Sequence, residues 1–223
     1  MTTNPENTAG PRLYGIVAVS FVAFLILSNI AATKLIGLEI GPAYLVFDGG
    51  AILFPLTYIL GDVLAEVYGF QRAKRAILMG FAFSIIAALT FLAVGAAPPG
   101  PGYENQDAFV AVLGFVPRIV AASVLGYLAG QLLNSWVLVK IKERWGEEHL
   151  WARLLGSTLV GEFADTLIFC TVAFYGVITG AEFLNYLIVG YVYKVSVEVV
   201  LLPVTYRVIA WIKKAESKQV VGA

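Results

Sequence analysis

Four acidic residues lie inside apolar runs that are long enough to cross a lipid bilayer. Asp62 and Glu66 lie in FPLTYILGDVLAEVYGF, and Glu162 and Asp165 lie in LLGSTLVGEFADTLIFCTVAFYG. A carboxylate at the centre of a bilayer costs at least ~2.5–3.5 kcal/mol, so it persists only where it meets a partner, water or a ligand. The chemistry expected of these residues is therefore recognition of a small polar molecule in a cavity between helices.

Polar stripes of this kind recur on four predicted helices. Each stripe consists of two residues three or four positions apart, which lie on one helix face: Asp62 and Glu66, Gln131 and Asn134, Glu162 and Asp165, Lys194 and Glu198. Lipid cannot satisfy these groups, so each stripe must face the interior of the bundle. A rise of ~1.5 Å per residue places all four in one slab between the membrane midplane and the cytoplasmic side. We predict that they line a substrate site.

Structural explanations exist for some of these residues. Lys194 and Glu198 could neutralise each other within one helix, and Glu66 could be solvated near the cytoplasmic surface. Gln131 and Asn134 could serve as hydrogen-bonding contacts between helices. Asp62, Glu162 and Asp165 are not explained in this way, because one lysine cannot balance three buried carboxylates.

Aromatic residues and prolines give the predicted site its context. Some aromatic rings could stack on a flat ligand, although such rings more often pack in cores: Phe54, Tyr58, Tyr127, Tyr191 and Tyr193. Of these we assign Tyr58 to the site. Asp48 lies near the external boundary, where it could contact a ligand at the entrance. Pro55 and Pro203 are expected to kink the second and sixth spans.

Composition restricts the class of protein. Of the 223 residues, 59% are hydrophobic and 13% are charged, whereas soluble domains average about 25% charged. The mean hydropathy is +0.82, which indicates an all-α integral membrane protein. The formal net charge is zero, so no nucleic-acid partner is expected. Cys170 lies in an apolar run and is interpreted as a buried apolar side chain; no metal or cofactor is expected.

Six apolar segments have the ~20-residue length of a transmembrane helix. They cover residues 13–33, 51–68, 73–96, 118–139, 154–177 and 184–212. Residues 36–50 are expected to form an interfacial or re-entrant piece, and residues 109–116 a short interfacial helix before the fourth span. The chain is thus predicted to be one six-helix domain at 12–214 between flexible tails at 1–11 and 215–223.

The distribution of basic residues predicts the orientation. Twelve of the 15 Lys and Arg residues fall on one side of the predicted bundle. Basic loops remain in the cytoplasm, so both termini are expected there, as an even number of spans requires. We predict a multi-pass protein of the cell inner membrane.

Several of these segments together resemble a known family. Five stretches are similar to those of the queuosine precursor transporters, also described as vitamin uptake transporters: SNIAATKLIG, FPLTYILGDVLAEVYGFQRAKRAI, GQLLNSWVLVKIKERWG, RLLGSTLVGEFADTLIFCTVAFYG and YKVSVEVVLLPVTYRVI. The resemblance implies a six-helix importer of 7-cyano- or 7-aminomethyl-7-deazaguanine, or of queuine, for queuosine modification of tRNA. Two positions depart from the family pattern: Asn134 replaces an Asp, and Glu162 replaces a Gln.

These observations favour a secondary transporter of a purine-like small molecule. The alternative is a substrate-binding membrane subunit of an ATP-driven vitamin importer. The chain has no G-x-x-x-x-G-K-[ST] loop, so it is not itself an ATPase of that class. An enzymatic role is not expected, because the paired acids lack the motifs of an intramembrane protease. Proton coupling, preferred precursor and homo-oligomerisation are left open by the sequence.

Overall fold

The computed structural model describes residues 13–145 and 150–221. In this part of the chain, seven α-helices and one β-hairpin follow one another: α1 Tyr14–Ala31, β1 Leu35–Ile40, β2 Ala43–Asp48, α2 Phe54–Tyr68, α3 Phe70–Ala96, α4 Gln106–Leu113, α5 Val116–Trp145, α6 Leu150–Phe174 and α7 Gly180–Val221. A 3-10 turn at Gly49–Ile52 joins β2 to α2. The predicted N-terminal tail at 1–11 lies outside the described residues.

Five helical stretches of the described chain are long and apolar enough to cross a membrane: Tyr14–Ala31, Phe70–Ala96, Gln106–Ile141, Gly156–Phe174 and Gly180–Ser217. They confirm a multi-pass helical membrane protein. The remaining predicted span coincides with α2, which has 15 residues and so covers only ~22 Å of a hydrocarbon core of ~30 Å. The short helix predicted before the fourth long span is confirmed as α4.

The ends of four helices meet at the basic side of the bundle. Glu216 of α7 accepts hydrogen bonds from the Leu13 backbone N–H at 2.9 Å and from the Tyr68 hydroxyl at 3.0 Å. The Arg72 guanidinium lies 5.9 Å from the centre of the Tyr14 ring, a cation–π contact. The start of α1, the α2–α3 junction and the end of α7 therefore share one end, which agrees with the predicted grouping of basic residues. Because α7 continues to Val221, most of the predicted tail at 215–223 is helical.

Residues 36–50, expected as an interfacial or re-entrant piece, form most of an antiparallel β-hairpin at the opposite end. Its strands are joined by a two-residue loop in which Gly41 has a φ of 59°, a conformation that suits glycine. The side chain of Asn185 on α7 pairs with β2 as a strand would. Its Oδ1 accepts from Val46 N at 2.9 Å, and its Nδ2 donates to Tyr44 O at 2.7 Å.

Helices α5 and α6 pack closely through glycine. A Cβ atom on Gly130 would lie 2.9 Å from the carbonyl oxygen of Gly161, and one on Gly161 would lie 2.8 Å from Cβ of Asn134. Small residues at such contacts let helix backbones approach each other in membranes. Arg118 in the first turn of α5 also donates to the carbonyl oxygens of Val172 and Tyr175 at 2.7 and 2.5 Å, which satisfies the C-terminal end of α6.

The prolines show where one prediction fails. Pro55 occupies the first turn of α2, which begins at Phe54, and proline in a first turn removes no helical hydrogen bond. The predicted kink at Pro55 is therefore wrong: the second helix starts later than its hydrophobicity suggested. Pro203 does lie inside α7, as predicted.

Candidate functional site

An ion pair between α6 and α7 forms the centre of the candidate site. Lys194 of α7 bonds to the carboxylate of Asp165 on α6, and its Nζ also lies 4.0 Å from Glu162 Oε2. The Lys194 side chain is 20% exposed and the two carboxylate side chains are each 23% exposed. The ammonium is thus directed at the neighbouring helix, so Lys194 and Glu198 do not form the self-contained pair that the sequence left open.

Two further carboxylates face this ion pair. The Glu198 side chain lies against that of Glu162, and it interacts electrostatically with Asp62 on α2. The Tyr58 hydroxyl, one turn before Asp62, faces the Asp62 carboxylate. Polar side chains of three helices that are distant in sequence therefore form one cluster. We call Asp62, Glu162, Asp165, Lys194 and Glu198 the charge cluster.

Aromatic rings from α2 and α7 border the charge cluster. The Lys194 ammonium lies 5.6 Å from the centre of the Phe54 ring, within the range of a cation–π contact. Phe54 and Tyr58 are stacked with ring centres 6.2 Å apart, and Tyr193 lies 6.5 Å from Phe54. Flat apolar faces and charged groups thus occur side by side, which suits a flat polar ligand.

Three buried oxygen atoms on α5 and α6 have no hydrogen-bond partner within the described residues. They are Oε2 of Glu162, Oδ1 of Asn134 and Oγ1 of Thr166. A buried acceptor without a partner costs ~1–3 kcal/mol. Of these atoms, Glu162 Oε2 belongs to the charge cluster, where it lies 4.0 Å from the Lys194 ammonium and retains the capacity to accept a hydrogen bond.

Gly126 on α5 packs closely against Asp165 of the charge cluster. A Cβ atom at this position would lie 2.9 Å from Asp165 Oδ1 and 2.9 Å from its carbonyl oxygen. Gly126, Gly130 and Asn134 are spaced four residues apart and share the face of α5 that meets α6. This four-residue spacing is visible in the sequence and would have predicted which face of α5 meets α6; the polar residues alone do not indicate that face.

The structure does not bring every predicted site residue into the charge cluster. Glu66 is exposed in the last turn of α2, and Gln131 is exposed on α5. Tyr127 packs edge-on against Phe81 at 5.2 Å, and the Tyr191 hydroxyl donates to Leu159 O at 3.3 Å. Glu66 and Gln131 are therefore the weakest members of the predicted set.

Asp48, considered as an entrance contact, has a structural role. Its carboxylate accepts from Gly50 N at 2.8 Å and from the Tyr186 hydroxyl at 2.7 Å, so it caps the 3-10 turn and ties the hairpin to α7. Burial raises the pKa of the Asp48 carboxyl, and these two hydrogen bonds oppose the rise. Asn185 and Tyr186 together clamp the hairpin to α7. The sequence did not predict this clamp, because single polar side chains in an apolar segment form no recognisable motif.

A bundle of membrane-length helices around a mixed-charge cluster defines a multi-pass membrane protein with an internal polar site. Residues 48–208 match the profile of the family described as "Putative vitamin uptake transporter". This range includes every member of the charge cluster. The chain belongs to this family of vitamin uptake transporters.

Individual relatives agree with this assignment. The chain is 32% identical to the "Probable queuosine precursor transporter" of Bacillus subtilis (strain 168), over 70% of this chain and 69% of the relative. It is 28% identical to the "Queuosine precursor transporter" of Escherichia coli (strain K12), over 72% and 71% of the two chains. A third relative, from Haemophilus influenzae, is 26% identical over 56% of this chain and 51% of its own. No solved structure matches the chain significantly.

Proposed function

We propose that this chain is a secondary transporter of the inner membrane that imports queuosine precursors, and that the charge cluster is its substrate site. The names of the Bacillus and Escherichia relatives support the substrate class. The observation that carries the proposal is the cluster itself, in which α2, α6 and α7 place four carboxylates, one ammonium and stacked aromatic rings together.

The chemistry of a 7-deazaguanine fits these groups. Its N1–H and 2-amino group lie side by side, and a carboxylate can accept both in a charge-assisted pair. Glu162 is suited to this role because its buried Oε2, which lies 4.0 Å from the Lys194 ammonium, accepts no hydrogen bond from the described residues. The carbonyl oxygen of the base needs a donor, which the Lys194 ammonium supplies. Phe54 and Tyr58 offer flat surfaces beside the ring.

The two departures from the family pattern lie on neighbouring helices, α5 and α6. Asn134 stands where the resemblance implies an Asp, and Glu162 stands where it implies a Gln. A Cβ atom on Gly161, which precedes Glu162, would touch Cβ of Asn134 at 2.8 Å. Asn134 therefore packs against the residue that precedes Glu162, while Glu162 itself faces Lys194 on α7.

This role requires no catalysis, and alternate opening of the site to the two membrane sides suffices for transport. A midplane site of this kind needs one group of helices to move against another. The tight glycine contact makes α5 and α6 one unit. Helices α2 and α7, which contribute the other residues of the charge cluster, form the second unit. We propose that these two units rock about the cluster during transport.

Uptake by the purified chain in lipid vesicles tests the function. The expected result is time-dependent accumulation of a radiolabelled 7-deazaguanine precursor without ATP or any partner protein, inhibited by excess unlabelled precursor. Uptake only after addition of ATPase subunits would instead support the binding subunit of a larger importer. Absence of uptake under both conditions, together with no rescue of tRNA queuosine in a precursor-requiring host, would refute the proposal.

A further inference from the structure

A layer of buried side chains closes one side of the charge cluster. Six residues from the hairpin, α5, α6 and α7, each at most 7% exposed, make up this external layer: Val46, Ile119, Cys170, Ala173, Phe174 and Tyr186. Along α6, Cys170 and Phe174 follow Asp165 by five and nine residues, or ~8 and ~14 Å. The layer therefore lies between the cluster and the end of the bundle that carries the hairpin. Basic loops remain in the cytoplasm, so this end is the external one.

Phe174 of α6 and Tyr186 of α7 form the centre of the external layer. Their ring centres lie 4.9 Å apart in an edge-to-face contact, and Phe115 and Phe169 pack against Phe174 at 5.7 and 6.4 Å. Phe174 is 1% exposed and Tyr186 is 2% exposed, so the contact is closed to water and to polar ligands. A ligand that enters from outside must separate these two rings.

The external layer joins the two units that the proposed transport cycle moves against each other. On one side, Arg118 of α5 fixes the end of α6 by donating to two of its carbonyl oxygens. On the other side, the Tyr186 hydroxyl donates to Asp48 at 2.7 Å, which fixes α7 to the hairpin. The Tyr193 hydroxyl donates to Ala51 O at 2.8 Å, which fixes α7 to the 3-10 turn before α2. The hairpin therefore moves with α2 and α7, and the aromatic contact lies on the boundary between the units.

The charge cluster is accessible from the opposite side. The Lys194 side chain is 20% exposed, although the external layer beside it is closed. Glu66 follows Asp62 by one turn toward the cytoplasmic end of α2, and Gln131 follows Gly126 toward the cytoplasmic end of α5; both Glu66 and Gln131 are exposed. A central site that is closed on one side and open on the other corresponds to one end state of alternating access.

We infer that the structure shows the inward-facing state of the transport cycle and that the Phe174–Tyr186 contact is its external gate. This inference rests on the proposed function and adds the contact that must open for loading from outside. The hairpin is the movable cover of the gate, because it is fixed to Tyr186 through Asp48 and contributes Val46 to the external layer. Opening separates this cover and α7 from Phe174, and closing restores the edge-to-face contact.

The single cysteine of the chain reports on the gate. Cys170 belongs to the external layer, is 2% exposed and lies one turn before Phe174. A membrane-impermeant maleimide reaches the external side in spheroplasts and the cytoplasmic side in inside-out vesicles. The closed layer shields the thiol, so external labelling of the unaltered chain should be slow. External labelling as fast as that of the chain denatured in detergent overturns the inference.

Phe174→Ala should raise external labelling of Cys170 by about tenfold, the factor that corresponds to loss of an aromatic contact. Labelling from the cytoplasmic side should not rise in the same way. Phe163→Ala is the matched control: Phe163 also contacts an α7 ring, that of Tyr191 at 5.7 Å, but it is 45% exposed and lies outside the external layer. This control should leave labelling unchanged.

Phe174→Leu keeps much of the apolar volume and should give a smaller increase on the external side, so it serves where Phe174→Ala does not fold. No external increase in a folded Phe174 variant, or an equal increase from both sides, overturns the gate. Labelling needs no substrate, so a contradicted gate with intact uptake leaves the transporter assignment standing. Absence of uptake with and without ATPase subunits refutes the transporter assignment, and the gate with it.

Discussion

Removal of the ammonium of Lys194 should destabilise the bundle through the carboxylates it leaves unpaired. Lys194→Met retains the apolar stem and deletes the charge. At 4.0 Å, the attraction to Glu162 alone corresponds to ~4 kcal/mol for an effective dielectric constant of 20. Breaking a buried pair costs ~3–5 kcal/mol. Because the side chains are 20% and 23% exposed, we expect the lower end, about 3 kcal/mol.

Thermal unfolding of the purified protein in detergent measures this cost. A loss of about 3 kcal/mol lowers the Tm by ~6–12 °C in a chain of this size. Asp165→Asn removes the opposing charge, so the double variant should be more stable than the sum of the single effects by at least ~1.5 kcal/mol. Single effects that add within ~0.5 kcal/mol would show that the ion pair contributes nothing, and the reasoning on the cluster would be refuted.

Three further outcomes follow from the packing and the charge. Gly126→Ala should lower uptake by about tenfold, because the new Cβ would lie 2.9 Å from Asp165 Oδ1. Gly61→Ala is the control, since the nearest atom to its new Cβ is 3.8 Å away and uptake should not change. Equal uptake by both variants would contradict this prediction. Asn185→Leu removes two hydrogen bonds to the hairpin and should lower the Tm by ~4–8 °C, and an unchanged Tm would argue against the clamp. An inside-negative potential of ~100 mV should raise the accumulation of the aminomethyl precursor by ~50-fold, and no response would exclude net movement of charge.

The polar stripes were predictable because helical spacing determines which residues share a face. Lys194 and Glu198 were correctly placed within one long helix, as were Glu162 and Asp165. The partner of each charge was not predictable, since it depends on how the helices rotate against each other. The pairing of Lys194 with Asp165 across the α6–α7 contact illustrates this dependence on packing.

The two predicted residues that the structure leaves exposed have local explanations. Gln131 lies one position after Gly130, so it is turned ~100° away from the α5 face that meets α6. Glu66 lies in the last turn of a helix that ends at Tyr68, where solvent can reach it. The spacing of Gly126, Gly130 and Asn134 would have distinguished Asn134 from Gln131.

The β-hairpin could not be predicted from hydrophobicity alone. Residues 36–50 were expected to form an interfacial or re-entrant piece, because they are apolar yet rich in glycine and contain Pro42 and Asp48. Gly41 and Pro42 instead form the two-residue loop between two paired strands. A single side chain, Asn185, satisfies part of the free edge of β2, and no local pattern reveals such a long-range contact.

Direct binding to the purified chain tests the central claim that the charge cluster holds the substrate. Calorimetric titration with the aminomethyl precursor should give saturable binding, weakened at least ~10-fold by each of Asp62→Asn, Glu162→Gln and Asp165→Asn. Glu66→Gln should bind as the unaltered chain does, because Glu66 is exposed outside the cluster. Unchanged affinity in all three folded cluster variants would contradict the account.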